Sequence, residues 1–188
     1  MLASKWELFL WFTNAAEFGV NDPLYAKDIS FYVFQLPIYS FLQGWILAAM
    51  AATIVATSAL AFLNFTLRGA AFTLTTELRT QLIVLGALAV VLISLGYWID
   101  RWELVRSEQG IVFGAAYADV FARQPAYLAL CIIGALVALL MLIGTFIGKI
   151  RLSLIPVGLW VILIIAVSYT HLRAHETDSY LVCRLLLE

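Results

Sequence analysis

The chain has 188 residues, a formal net charge of −1, 64% hydrophobic residues and only 12% charged ones. Soluble domains carry about 25% charged residues, and half of that cannot cover a soluble surface of this size. With a mean hydropathy of +0.98, the composition excludes a soluble enzyme domain, a disordered chain and a basic nucleic-acid binder, and points to an all-α, polytopic membrane protein.

Met1–Thr13 carries Trp6, Phe9, Trp11 and Phe12 without an apolar core long enough for a signal peptide. Its aromatics suggest an interfacial stretch. Charge-free runs then locate the spans. No Asp, Glu, Lys or Arg occurs between Asp28 and Arg68, Arg79 and Asp100, Arg123 and Lys149, or Arg151 and Arg173. About 20 helical residues cross a hydrocarbon core of roughly 30 Å. The first run exceeds that, so Ile29–Pro37 is read as a lead-in, with Pro37 suited to a helix start. Spans are placed near 42–63, 82–98 and 126–147. A fourth, 152–166, has fifteen residues and is read as truncated.

The second span holds ten Leu, Ile or Val residues between Leu82 and Leu95. At about −0.3 to −0.6 kcal/mol each they favour insertion by roughly 3 to 6 kcal/mol. The first span is poorer and rich in alanine, which suggests packing among neighbouring helices. Its Gly44, Ala48, Ala52 and Ala56 recur every four residues, and the third span has Gly134 with Ala138 and Gly144 with Gly148. Such stripes let backbones approach closely. Packing within one chain is the favoured reading; a homo-oligomer seam is the alternative. Thr53, Thr57 and Ser58 are expected to hydrogen-bond their own helix or a neighbour. Cys131 is read as a small packing residue.

Three spans put Met1–Phe41 and Ile99–Pro125 on one face. Asn64–Gln81 and Gly148–Arg151 fall on the other. The second set is short and dense in cations (Arg68, Arg79, Lys149, Arg151) against one acid, Glu77. The positive-inside rule puts it in the cytoplasm and the first set outside. The sequon at Asn64–Thr66 then has no meaning. Glu103 and Arg106 stand at i, i+3 and could pair on a helix. Tyr97, Trp98 and Trp102 look like an interfacial belt. Asp100, Glu108 and Asp119 show no ligand spacing and read as a solvated loop.

No ionisable side chain falls in the centre of a span, which argues against a coupled transport site. No phosphate loop, nucleotide fingerprint or nucleophile elbow is present. No catalytic, cofactor-binding or metal residues are assigned.

Val167–Glu188 changes character in the middle of an apolar run and holds both histidines. It resembles a translated sequencing adapter: Val167–Thr177 a transposase adapter end, Leu181–Glu188 a flow-cell primer end. His171, His175 and Cys183 suggest a metal site, and His171 and His175 stand at i, i+4, a spacing that can bind zinc, but on this reading they are not native ligands. The native portion is then 1–166, a transmembrane bundle fragment.

Three stretches carry a family resemblance: Phe18–Pro37 (FGVNDPLYAKDISFYVFQLP), Gly96–Leu104 (GYWIDRWEL) and Gly114–Pro125 (GAAYADVFARQP). They resemble the bacterial membrane proteins grouped as uncharacterised protein family 0182. The resemblance implies a bundle of about seven spans followed by a large extracytoplasmic domain. This chain would be an internal fragment in the bacterial cell membrane, its partners being the lipid bilayer, the remaining helices and the outer domain. It also implies that Phe18–Pro37 and Trp98–Pro125 lie outside. Trp102-Glu103 departs from a more usual Tyr-Asp or Tyr-Glu after Arg101, and the family supplies no catalytic residues. A non-enzymatic scaffold or anchor is the leading functional expectation. A transporter or channel is the alternative, and a membrane enzyme ranks third.

Overall fold

A computed structural model describes residues 5–68, 75–106 and 119–185, the side chains of Arg68, Asp119 and 169–185 excepted. Five α-helices follow in chain order: α1 (Trp6–Thr13), α2 (Leu36–Arg68), α3 (Thr76–Glu103), α4 (Gln124–Ile147) and α5 (Ile150–Leu185). Short π-helical turns lead into α2 (Phe31–Gln35) and α4 (Asp119–Arg123), and a 3-10 turn (Leu104–Arg106) follows α3. Among the described residues there is no β-ladder, only an isolated bridge between Asn21 and Asp28. Four helical stretches are long and apolar enough to cross a membrane: Phe31–Leu67, Thr76–Arg106, Val120–Ile147 and Ile150–Ser168.

The expected all-α architecture is present, with longer helices than the charge-free runs suggested. The lead-in to α2 is helical, not a separate segment, and Pro37 is not the start. Proline has no N–H to donate one turn back. The π turn at Phe31–Gln35 sits immediately before it, where wider i→i+5 bonding lets the helix continue through the gap. Helix α3 runs past Trp98 through Asp100, Arg101 and Glu103; Arg101 stacks on Trp98 and Glu103 accepts from Ser40. The sequon lies on the last turns of α2 and not in a loop; the Thr66 hydroxyl donates to the Phe62 carbonyl. The stretch of α5 long and apolar enough to span is 19 residues long because it takes in Ile150, Arg151, Val167 and Ser168 besides the run read from sequence.

The core lies between α3, α4 and α5. Ile83, Ala87 and Val90 repeat along one face of α3, and Val137, Ala138 and Met141 face them from α4. Trp160 of α5 closes the cluster, and its indole N–H donates to the Leu130 carbonyl at 3.3 Å. Two glycines permit this fit. A methyl group at Gly134 would collide with the Ser94 hydroxyl and lie 2.7 Å from Trp160 Cζ2. One at Gly144 would meet Ser153, which is fully buried and donates to the Met141 carbonyl at 3.0 Å. Packing within one chain, the favoured reading, is thus what Gly134 and Gly144 do.

Among the described residues the α2 stripe has no such partner. Gly44, Ala48, Ala52 and Ala56 are exposed, and nothing lies within 4 Å of a methyl group built at Gly44. The most apolar stretch of α2 has no buried residue, so the neighbours expected for it are not supplied by the described residues. Thr53, Thr57 and Ser58 donate to the carbonyls of Ala49, Thr53 and Ile54 on their own helix. Helix α2 meets α3 near its first turns, where Gln43 Nε2 donates to the Leu92 carbonyl at 3.2 Å and lies against Gly96.

Candidate functional site

The chemistry-bearing side chains gather at one end of the bundle, where the segment 18–37 folds over the last turns of α3. The segment is shaped by two aspartates. Asp22 precedes Pro23, whose fixed φ favours a turn. The Asp22 carboxylate accepts from the amides of Leu24 (3.2 Å) and Tyr25 (2.8 Å), and its carbonyl accepts from Ala26 N–H at 2.9 Å. Ala26 takes a left-handed φ of 52° to close the turn.

Asp28 ends the loop and begins the helix. Its carboxylate accepts from Ser30 N–H (2.7 Å), Gly19 N–H (2.8 Å) and Phe18 N–H (3.2 Å). This satisfies an orphan donor of the first helical turn and pins the start of the loop to its end. The Ser30 hydrogen bonds, followed by those from Phe18 and Gly19, outweigh desolvation and hold the Asp28 carboxyl below its usual range.

Three contacts join the loop and the start of α2 to the end of α3 and the 3-10 turn after it. The Tyr25 hydroxyl donates to the Arg101 carbonyl at 2.9 Å. Arg106 Nη1 donates to the Tyr32 carbonyl at 3.2 Å. The Ser40 hydroxyl donates to Glu103 Oε1 at 2.6 Å. Glu103 and Arg106, expected as an i, i+3 pair, therefore reach different partners. The physical reason is that the α-helix ends at Glu103 and a 3-10 turn carries Arg106. Inside the lock the Tyr32 hydroxyl donates to Asp22 Oδ2 at 3.2 Å, so Asp22 joins the turn to the helix it precedes.

Aromatic rings and cations fill the space between. The Arg101 guanidinium carbon lies 4.1 Å from the Trp98 ring centroid and 5.4 Å from that of Tyr25. Lys27 Nζ lies 4.3 Å from the Phe31 ring centroid and 5.2 Å from that of Trp102. Phe31 and Trp102 meet edge to face at 5.2 Å, as do Trp98 and Trp102 at 6.1 Å. Such cation–ring contacts contribute about 0.5–1 kcal/mol when exposed and about 2 when desolvated. Burial raises the Tyr25 phenol above its ordinary value, with Arg101 acting against the rise and Asp22 adding to it. Arg101 Nε is buried without a hydrogen-bond partner among the described residues, and the guanidinium stacks on the Trp98 ring.

The three aromatic residues read as an interfacial belt divide between two sets of contacts. Trp102 meets Phe31 and Lys27, and Trp98 packs on Trp102 and Arg101, while Tyr97 stacks on Tyr127 of α4 at 6.0 Å. Asp100 lies on α3; Glu108 and the Asp119 side chain lie outside the described residues. Among the described residues no three His, Cys, Asp or Glu side chains gather in a metal-binding group. His171, His175 and Cys183 lie where side chains are not described. The roles of Asp22, Tyr25, Lys27 and Arg101 were not read from sequence. Asp22-Pro23 and the aspartate before a helical run were the available signals. The arrangement is chemically a clamp. It fixes a loop on a helix end through backbone acceptors and stacked cations.

Comparison with known proteins matches residues 1–177 to the family described as Uncharacterised protein family (UPF0182). The match takes in the first eleven residues of the stretch 167–188. A "UPF0182 protein" of Trichodesmium erythraeum is 34% identical over 149 residues, 75% of this chain and 16% of its own length. One of Arthrobacter sp. is 35% identical over 162 residues, covering 85% of this chain and 16% of its own. One of Clostridium botulinum strain Okra is 29% identical over 175 residues, covering 87% and 20%. The chain thus spans about a sixth to a fifth of the length of these relatives. No solved structure matches it.

Proposed function

The chain belongs to the Uncharacterised protein family (UPF0182), and from that premise we propose that it is a multi-pass membrane module of a longer protein, sited in the bacterial cell membrane and serving as a scaffold for a domain outside it. The observation that carries this reading is the clamped end of the bundle. Asp22, Asp28, Tyr25 and Arg101 build a fixed surface on top of α3, and a fixed surface suits docking better than gating. The cation distribution supports orienting that surface outward, with Arg79, Lys149 and Arg151 at the cytoplasmic end.

A transport pathway is the competing reading, and the unburied α2 stripe is the feature that favours it. Against it, the hydroxyls of Thr53, Thr57 and Ser58 are bonded to their own helix. The test is the full-length protein in liposomes and in cells. A scaffold shows no solute flux, and Asp22→Ala loosens the downstream domain, seen as faster limited proteolysis of that domain. Flux that disappears when Gly44 is enlarged to Leu makes the chain a pathway element instead.

A further inference from the structure

The opposite end of the bundle carries a different chemistry. Helix α4 stops at Gly148, whose φ of 76° turns the chain out of the helix, and α5 begins two residues later. Lys149 and Arg151 therefore leave the bundle from one corner, and both are exposed. Beside them is an open groove of about 630 Å³, walled by Leu152, Ile155 and Pro156. On the other side of Gly148, Arg79 borders a small cleft shared with Thr145. Opposing charge is scarce. Glu77 is the only acid between Asp28 and Asp100, and none lies between Asp119 and Glu176.

Past the cations the surface becomes wholly apolar. Ile155, Leu159 and Ile162 stand at i, i+4, i+7 along one exposed face of α5, at 59%, 64% and 64% exposure. Two cations at a helix start, a groove, then an apolar strip is the order of groups in a phospholipid: phosphate, glycerol, acyl chain. The corner also joins two stretches long enough to span, which places it at headgroup depth. The start of α5 adds the partial positive charge of a helix N-terminus.

The geometry points to a binding site for an anionic phospholipid, with Lys149 and Arg151 on the phosphate and an acyl chain along Ile155, Leu159 and Ile162. A free phosphate ion would engage the two cations and leave the apolar wall in water. A lipid covers both, and the charge excess selects an anionic headgroup over a zwitterionic one. The site rests on the membrane-spanning reading and is independent of the scaffold role.

The test is native mass spectrometry of the full-length protein released from nanodiscs containing phosphatidylglycerol and phosphatidylcholine. Phosphatidylglycerol is expected to be retained preferentially. Each juxtamembrane cation contributes about fivefold in affinity, so Lys149→Ser with Arg151→Ser lowers retention by roughly 25-fold. Lys149→Arg keeps it. Ile155→Trp fills the groove with both charges intact and also lowers retention, so it carries the test if the double variant does not fold. Unchanged retention in both the double variant and Ile155→Trp overturns the proposal. So does equal competition by inorganic phosphate, which marks a free-anion site, or a cross-link from position 155 to another segment of the full-length protein, which marks a protein-filled groove.

Discussion

Tyr25 and Arg101 are 76 residues apart, yet the Tyr25 hydroxyl donates to the Arg101 carbonyl at 2.9 Å while its ring lies 5.4 Å from the Arg101 guanidinium carbon. One side chain thus ties the loop to α3 twice, through a hydrogen bond and through a stacked cation. Tyr25→Phe removes only the first tie. The expected cost is about 1 kcal/mol, the typical net value of such a bond. Tyr25→Ala removes both and costs about 1–2 kcal/mol more, since the cation–ring contact is partly desolvated. Hydrogen exchange at the Leu24 and Tyr25 amides, which Asp22 holds, measures the loosening. Equal exchange in the wild type and Tyr25→Ala would show that the loop stands without its lock.

The Asp28 carboxyl gives the same loop a pH dependence. Its folded pKa lies below the ordinary carboxylate value, chiefly because Ser30 donates to it. A depressed folded pKa means that the unfolded loop binds protons more readily. The stabilisation is therefore complete above the unfolded pKa of about 3.9 and is lost as pH falls through the lower, folded value. Cap order, followed by fluorescence of the neighbouring tryptophans, is expected to hold down to about pH 4 and fail below it. Asp28→Asn is expected to flatten that acid limb and to speed exchange at the Gly19 and Ser30 amides at neutral pH. An unaltered acid limb would assign the transition to another carboxylate.

Much of this architecture is legible in the sequence, and the failures have physical reasons. The charge-free runs find four apolar helices, since burying a charge in hydrocarbon is costly enough to be avoided. The ends are misplaced because charges were read as terminators. In α3, Asp100, Arg101 and Glu103 lie within the helix, Arg101 stacked on Trp98 and Glu103 accepting from Ser40. Pro37 looked like a beginning because local rules place proline in a first turn; a π turn upstream lets it sit within a longer helix. The loop motif was visible as a string, but its wiring joins residues far apart in sequence. A small-residue stripe has the same spacing whether or not it is covered, so Gly134 and Gly44 could not be told apart.

Those two glycines separate cleanly by substitution. A methyl group at Gly134 meets the Ser94 hydroxyl and the Trp160 ring, whereas at Gly44 it meets nothing. Gly134→Ala is expected to destabilise the bundle by about 1–3 kcal/mol, the usual cost of overpacking. Gly44→Ala is expected to leave the bundle unchanged or slightly firmer, because alanine is the better helix former by about 1 kcal/mol. Unfolding of the purified protein in detergent, titrated with denaturant, compares the two. Equal midpoints would mean that α5 does not sit against α4 at Trp160.

The stretch after Ala166 makes a genetic prediction. Its likeness to adapter sequence predicts that the natural gene departs from this sequence at codon 167. The family match extending to residue 177 pulls the other way. Long reads of source DNA across the junction decide it. Reads that continue into His171 and His175 would make those residues native and reopen a zinc reading of their i, i+4 spacing.

Orientation is open to direct measurement, and the structure supplies the positions. The cap contacts bring the loop 18–28 and the end of α3 to one end of the bundle, and α3 has its other end at Thr75, whose hydroxyl caps the helix by accepting from Leu78 N–H. Helix α3 rises about 1.5 Å per residue over its 28 residues, about 42 Å, which exceeds the hydrocarbon thickness. On the spanning reading, Ala26 and Thr75 are therefore expected on opposite sides of the membrane. The cations Arg79, Lys149 and Arg151 share the Thr75 end, and short cation-rich connections stay in the cytoplasm. A cysteine placed at the exposed Ala26 is expected to react with a membrane-impermeant maleimide in intact cells. One at the exposed Thr75 is expected to react only after the membrane is opened, with Cys131 and Cys183 replaced by serine beforehand to remove the background from this chain. The reverse pattern would turn the module over and put the clamped surface in the cytoplasm. Labelling of both positions in intact cells would mean that α3 does not cross the membrane.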